Sequence, residues 1–313
     1  MVTPWVHSLI RARSGFRPKV VLMAEPIIVG VDGSDSSLQA VTWAAREAAL
    51  RNAPLRLVHV TLRWAYDVPL VPQPAHWGPA AESTARRLLR HASEQARAAA
   101  PTVTVDTEIA DGATAEAIIA AAGTAQMIVV GSRGRGGFAG LLLGSVSRAL
   151  ADRSPRPVVV VGEPRTEHGT EIAVGVTGRP GQEGTLEFAF HEATLHGLPL
   201  RMVHAWTHPA VRAPGDMQPL VFDLEGVGQE EARLLAESIG GWRERFPDVP
   251  VVEQVVHEHP ARALIDASAS AELVVVGAPG PARILGSTVH ALLPHAHAPV
   301  AVVQQAPPPT RRA

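Results

Sequence analysis

The chain is one unit written twice. Ile27-Ile28-Val29-Gly30-Val31-Asp32-Gly33 recurs as Ile172-Ala173-Val174-Gly175-Val176-Thr177-Gly178 at an offset of 145 residues, and the same offset places Glu47 on Glu192 and Val58-His59-Val60 on Val203-His204-Ala205. Met127-Ile128-Val129-Val130-Gly131 recurs at 146 as Leu273-Val274-Val275-Val276-Gly277. Gly144-Ser145 returns as Gly286-Ser287, and Pro157–Val161 as Pro299–Val303, both at 142. Offsets this steady mark a duplication, so the fold is two copies of one architecture. The 313 residues agree with about two domains of roughly 150 residues each. The reading gives an N-terminal extension over 1–25, disordered or upstream of a true start at Met23. A first domain follows over 26–162, a linker over 163–169, a second domain over 170–304 and a disordered tail over 305–313.

Within the first unit, apolar runs near 26–31, 55–62, 102–109, 126–131 and 157–161 read as strands. Unbroken runs such as Met127–Val130 and Val158–Val161 suit strands buried on both faces, as in parallel sheets. Between them, Ala-rich helical patterns fall near 36–51, 81–100, 113–123 and 144–152, with Asp35 or Ser36 as the first N-cap. Strand–helix alternation predicts an α/β fold of two tandem doubly wound, open, parallel five-stranded sheets. Ligand sites then lie at the carboxyl ends of the strands. Proline-rich stretches at Arg63–Pro79 and His208–Val221 break the rhythm as long loops, placed to act as lids or contact surfaces.

The charged residues narrow the chemistry. Of 28 basic residues all but Lys19 are Arg, and Lys19 precedes Val20, so a Walker-type phosphate loop is excluded. With no cysteine there is no disulfide, thiolate metal site or cysteine nucleophile. No apolar run reaches the roughly 20 residues that span a bilayer, and a net charge of −2 gives no reason to expect nucleic acid. Phosphate, if handled, meets backbone amides, hydroxyls and Arg.

Such a site is written after the fourth strand. Gly131-Ser132-Arg133-Gly134-Arg135-Gly136-Gly137-Phe138-Ala139-Gly140 leads through three leucines to Gly144-Ser145-Val146-Ser147 at a helix start. Glycines let amides turn inward, and the helix adds unpaired N–H groups and the positive end of its dipole. Asp32 ends the first strand beside the same crevice. It could accept a ribose hydroxyl or hold Mg²⁺, or it could simply form an Asx-turn in Asp32-Gly33-Ser34-Asp35.

These residues resemble the universal stress protein family. The pattern Gly-x2-Gly-x9-Gly-[Ser/Thr] is met by Gly131, Gly134, Gly144 and Ser145, and Ile28–Ser34, Val58-His59-Val60 and Val129–Gly134 match as well. The resemblance covers 26–304 as a tandem pair. It implies an adenine nucleotide alpha hydrolase-like sheet in order 3-2-1-4-5 and ATP, with Mg²⁺ as an optional companion, at the strand ends. By position, Asp32 would contact ribose or metal-bound phosphate, the Val60 backbone would meet adenine, and Gly30 is counted with the nucleotide-binding residues. Gly131, Arg133, Gly134, Gly144, Ser145, Val146 and Ser147 would line the phosphates.

Unit two departs from the pattern. Its loop, Gly277-Ala278-Pro279-Gly280-Pro281-Ala282-Arg283-Ile284-Leu285-Gly286-Ser287, has five residues where nine are wanted, and Pro279 and Pro281 lack an N–H. Thr177 replaces the Asp. Residues 26–163 carry 13 basic and 12 acidic side chains against 9 and 17 in 164–304, a balance unfavourable to a polyanion. One ATP per chain, in unit one, is therefore expected. His257 and His259 lie two apart on a predicted strand, hence on one face, and His295 and His297 share that spacing, which could hold metal, but such histidines are more often packed or solvated, and no metal or catalytic residue is assigned. His59 and His204 recur in both units, which suits a structural role, and Trp43 reads as core. Three functions fit: a cytoplasmic ATP-binding stress sensor acting on an unknown protein partner, a slow ATPase using Arg133 and Arg135, or a nucleotide-free scaffold. The apolar end strands Pro157–Val161 and Pro299–Val303 could pair within the chain as an internal pseudo-dimer that dimerises again.

Overall fold

A computed structural model describes residues 24–61, 77–134, 143–163, 168–178, 180–207, 224–280 and 285–305. The extension 1–23, the two proline-rich loops up to 76 and from 208, residues 135–142 of the glycine loop and the tail 306–313 lie outside the described residues. Unit one runs β1 (Ile27–Gly30), α1 (Asp35–Arg51), β2 (Leu55–Thr61), α2 (Trp77–Ala99), β3 (Val105–Asp111), α3 (Thr114–Ala122), β4 (Met127–Gly131), α4 (Ser145–Arg153) and β5 (Val158–Val161). Unit two repeats it as β6 (Glu171–Gly175), α5 (Glu183–His196), β7 (Leu200–Trp206), α6 (Leu224–Arg245), β8 (Val251–His257), α7 (Pro260–Ala267), β9 (Ala271–Ala278), α8 (Ser287–Leu292) and β10 (Val300–Gln304).

Each unit is a parallel sheet in order 3-2-1-4-5, and the two join into one ten-stranded sheet, β3-β2-β1-β4-β5-β10-β9-β6-β7-β8. The seam is the antiparallel pair β5·β10, with Val300 opposite Val160 and Val302 opposite Val158. Both strands are buried throughout their apolar residues, so pairing removes two edges that would otherwise invite aggregation. The outer edges β3 and β8 carry Asp106, Glu108, Asp111 and Glu253, charges that suit an unpaired strand. Helices α1, α2, α5 and α6 cover one face and share a continuous core with Trp43 and Phe190, and α3, α4, α7 and α8 cover the other.

Two expectations need correction. The N-cap of α1 is Ser34, ahead of the expected Asp35 or Ser36, because its hydroxyl oxygen accepts the Ser37 N–H at 3.2 Å. His257 and His259 do not share a strand: His257 ends β8, whereas His259 caps α7 by accepting the Ala261 N–H at Nδ1.

Where α1 meets α5, the duplicated glutamates face one another across the seam. Glu47 and Glu192 are each only 1 % exposed, and Arg51 reaches both, with Nε 2.6 Å from Glu47 Oε1 and an Nη2 contact to Glu192 Oε1. The position equivalent to Arg51 is His196, whose Nε2 lies 3.1 Å from Glu47 Oε2 and 3.7 Å from Glu192 Oε2. These three side chains bring metal-ligating atoms within 4.8 Å of one another, but the guanidinium already supplies the cation between the carboxylates. Two buried carboxylates this close cannot both ionise easily. Burial and then the Glu47 charge push the Glu192 carboxyl up to about 8. Burial also opposes the charged forms of Glu47 and His196, but their mutual hydrogen bond and ion pairing outweigh it. Glu47 is held below its ordinary value and His196 above.

The folded chain thus keeps protons on Glu192 and His196 that the unfolded chain releases near pH 4.5 and 6.5. The native state binds more protons across that window, so stability falls as pH rises from about 5 through 8. Glu47 acts oppositely, its contribution being lost as pH falls below 4.5. Urea midpoints are expected to be higher at about pH 5.5 than at about pH 8.5 by an amount worth a few kcal/mol, and Glu192→Gln to flatten most of that slope. An unchanged slope in the variant would place the pH dependence elsewhere.

Candidate functional site

The carboxyl ends of β1 and β4 diverge to neighbours on opposite sides, β2 and β5, and open the crevice expected of a doubly wound sheet. Gly30 lies at its floor. A Cβ there would meet Ile118 at 3.0 Å, so its smallness lets α3 pack against β1. Asp32 follows as a turn residue: its Oδ1 accepts the Ser34 N–H at 2.9 Å and the Ser34 hydroxyl at 2.6 Å. The Asx-turn is therefore realised, and it holds the carboxylate at the crevice. Val60 lies near the end of β2, half-buried, in register with Ala110.

The β4 end is folded tightly onto this turn. A Cβ on Gly131 would fall 2.4 Å from Ser36 Oγ and 2.6 Å from the Ser36 backbone, and one on Gly134 would fall 2.6 Å from Asp32 Oδ2. These glycines are required by close approach and bring the loop and the carboxylate together. Arg133 N–H donates to Ser36 Oγ at 3.3 Å, and the Arg133 guanidinium is exposed and paired with Glu163.

Beyond residues 135–142 the chain returns at once to the same place. The Gly144 N–H donates to Ser132 O at 2.7 Å, and Gly144 then caps α4 without any side-chain hydrogen bond. A helix start capped only by glycine leaves its first-turn amides, those of Ser145, Val146 and Ser147, without a side-chain acceptor, next to the positive end of the dipole. Ser145 is exposed and Val146 half-buried. The Ser147 hydroxyl donates to Gly131 O at 2.7 Å, so it ties α4 to β4, and its contribution to the crevice is an amide. Close contacts thus join Asp32, Gly131, Arg133, Gly134, Gly144 and Ser147 at the ends of β1 and β4 and the start of α4, with Gly30 packed toward α3, the Arg133 guanidinium turned toward Glu163, and Val60, Ser145 and Val146 placed only by the elements they sit on. His59, whose Nδ1 contacts Val31 O at 2.7 Å, braces β2 against the β1 turn, and His204 repeats this in unit two with Val176 O at 2.9 Å.

The counterpart in unit two has Thr177 bonded to Gln182 where unit one has Asp32, and Pro279 after β9. A cleft nevertheless persists there, of about 620 Å³. Sequence reasoning missed it, because it followed only the loss of phosphate-binding residues.

The model of the universal stress protein family matches residues 23–162 and again 170–304. Universal stress protein Rv2005c of Mycobacterium tuberculosis is 39% identical over 292 residues, covering 89% of this chain and 97% of that protein. A universal stress protein of Mycolicibacterium smegmatis is 38% identical over 292 residues, covering 89% and 96%. Among solved structures, a universal stress protein from Archaeoglobus fulgidus aligns with a TM-score of 0.68 at 19% identity, covering 90% of this chain and 98% of that one, a likeness of fold.

Proposed function

The chain belongs to the universal stress protein family, and from that premise we propose that it is a cytoplasmic ATP-binding regulator of a stress response, with the nucleotide held in unit one. The observation that carries the reading is the join between the glycine-capped start of α4 and the Asp32 turn, with Gly134 pressed against the carboxylate. A polyphosphate needs inward-facing amides, and a ribose needs a hydroxyl acceptor. The α4 amides and the Asp32 carboxylate would supply both without a lysine. Gly131, Gly134, Gly144 and the amides of Ser145, Val146 and Ser147 would hold the phosphates, Asp32 the ribose or a Mg²⁺ companion, and the Val60 backbone the base. Nucleotide occupancy would alter a partner's affinity, which requires ATP to bind two arrangements of the chain unequally.

The ATPase reading has less support, since Arg133 pairs with Glu163 and the Ser147 hydroxyl is held by Gly131. No helix among the described residues is long and apolar enough to cross a membrane. Mass spectrometry of small molecules released from the purified protein tests the proposal, together with calorimetry. ATP should be recovered, and titration should give one site per chain. Absence of any bound or titratable nucleotide would favour the scaffold reading, and two sites of similar affinity would refute the assignment to unit one.

A further inference from the structure

The unit-two cleft lies at the carboxyl ends of β6, β7 and β9, and its volume of about 620 Å³ is within the roughly 300–1,000 Å³ usual for small-molecule sites. Its walls are not a worn copy of unit one. At the offset of the repeat, Thr61 becomes Trp206 and Asp32 becomes Thr177. At the offset that sets buried Leu89 on buried Leu235, Ala85 becomes Glu231. The carboxylate has therefore changed sides: it is gone from the strand end and enters from α6.

Its placement is fixed. His204 Nδ1 faces the Val176 carbonyl at 2.9 Å, which can only accept, so Nδ1 carries a proton. Nε2 of the same ring lies 2.7 Å from Glu231 Oε2, and the Glu231 side chain is 27 % exposed, on the cleft wall. Trp206 lines the same cleft and stacks on His257 at a centroid distance of 4.3 Å, which orients its ring. No Lys or Arg occurs among the described lining residues, and Pro279 offers no N–H where unit one presents the start of its glycine loop. An aromatic wall, a His204–Glu231 pair that is neutral overall and no Lys or Arg among the described lining residues suit a flat molecule with N–H or O–H donors better than an anion.

We propose that this cleft binds a planar, non-phosphorylated heterocycle of nucleoside size, stacked on Trp206 and donating a hydrogen bond to Glu231. Unit one would then read a nucleotide and unit two a second, uncharged molecule. Because the inference rests on unit-two residues alone, it stands or falls separately from ATP binding in unit one.

The test is calorimetric titration of the full chain with each of the four ribonucleosides and with the matching 5′-monophosphates. At least one ribonucleoside should bind with a one-per-chain component that Trp206→Ala weakens about tenfold and the near-isosteric Glu231→Gln about fivefold. The monophosphate should bind that component about tenfold more weakly, because no Lys or Arg of the described lining offsets the cost of desolvating its charge. Both variants should keep the thermal melt and the ATP titration of the native chain, which separates a site effect from misfolding. Nucleoside binding that neither variant changes, a monophosphate that binds as tightly, or no ribonucleoside binding at all would each overturn the proposal.

Discussion

Replacing Arg51 by Met is expected to destabilise the folded chain by about 3–5 kcal/mol, the loss typical when one partner of a buried ion pair is removed. Arg51 is the guanidinium between Glu47 and Glu192, and each carboxylate is 1 % exposed. Without it, two carboxyl groups face one another beneath α1 and α5, with His196 as their remaining cationic neighbour. Glu192 keeps its proton below about pH 8, so the carboxylate left short of a partner is Glu47, which retains only His196. The cost should therefore shrink in acid and grow above neutral pH, and it should be largely recovered when Glu47→Gln and Glu192→Gln are added, since the interior then holds amides instead of opposed charges. Urea denaturation of the native chain, the single variant and the triple variant measures this directly. A single-variant loss under about 1 kcal/mol would mean that the cluster behaves like an exposed ion pair. Because α1 belongs to unit one and α5 to unit two, the unfolding transition should remain single. The β5·β10 seam, which the variant leaves intact, still joins the two units.

That cluster also shows where reading the sequence ran out. The match of Glu47 to Glu192 at the repeat offset is visible in the letters, but a glutamate in an Ala-rich helix reads as solvent-facing. Only the pairing of β5 with β10 turns both helices toward a common seam and buries the two side chains. The strands were legible because parallel strands buried on both faces are written as continuous Val and Ile runs, as in Val158–Val161. The antiparallel seam itself was open to inference, since two apolar end strands in one chain have each other as the nearest cover. The candidate crevice was legible because glycine at Gly131 and Gly134 is a direct record of close approach. What no pattern could give was the use of Ser147, whose hydroxyl closes onto Gly131 O, or the pairing of Arg133 with Glu163. Side-chain donors near a phosphate loop look identical in sequence whether they face the crevice or fasten its walls. The cleft of unit two escaped for the complementary reason, that lost residues are conspicuous against a motif and gained ones, Trp206 and Glu231, are not.

Gly134→Ala is expected to weaken ATP binding by about a hundredfold while leaving the fold intact, since a hydrogen bond to a charged acceptor is worth about 1.5–3 kcal/mol. The added Cβ would sit 2.6 Å from Asp32 Oδ2. The nearest obstacle is thus the end of a short side chain and not backbone, so the chain can relieve the clash by moving the carboxylate. That movement strips Asp32 of its hydrogen bonds from the Ser34 N–H and hydroxyl, and takes it from where a ribose hydroxyl or a bound Mg²⁺ would need it. Gly131→Ala provides the contrast. Its Cβ would fall 2.6 Å from the Ser36 backbone at the first turn of α1, which cannot swing aside. Overpacking of that kind costs about 1–3 kcal/mol of stability as well as the site. The decisive comparison is with Asp32→Ala. If Gly134→Ala acts by displacing the carboxylate, the two single variants should lose similar affinity and the double variant no more than either, because substitutions acting through one group are not additive. Calorimetric titration with ATP in the full chain, beside a thermal melt for each variant, measures all four corners of that cycle. Native-like affinity in Gly134→Ala, or losses that simply add in the double variant, would remove Asp32 from the nucleotide site and leave the amides of α4 to bind the phosphates alone.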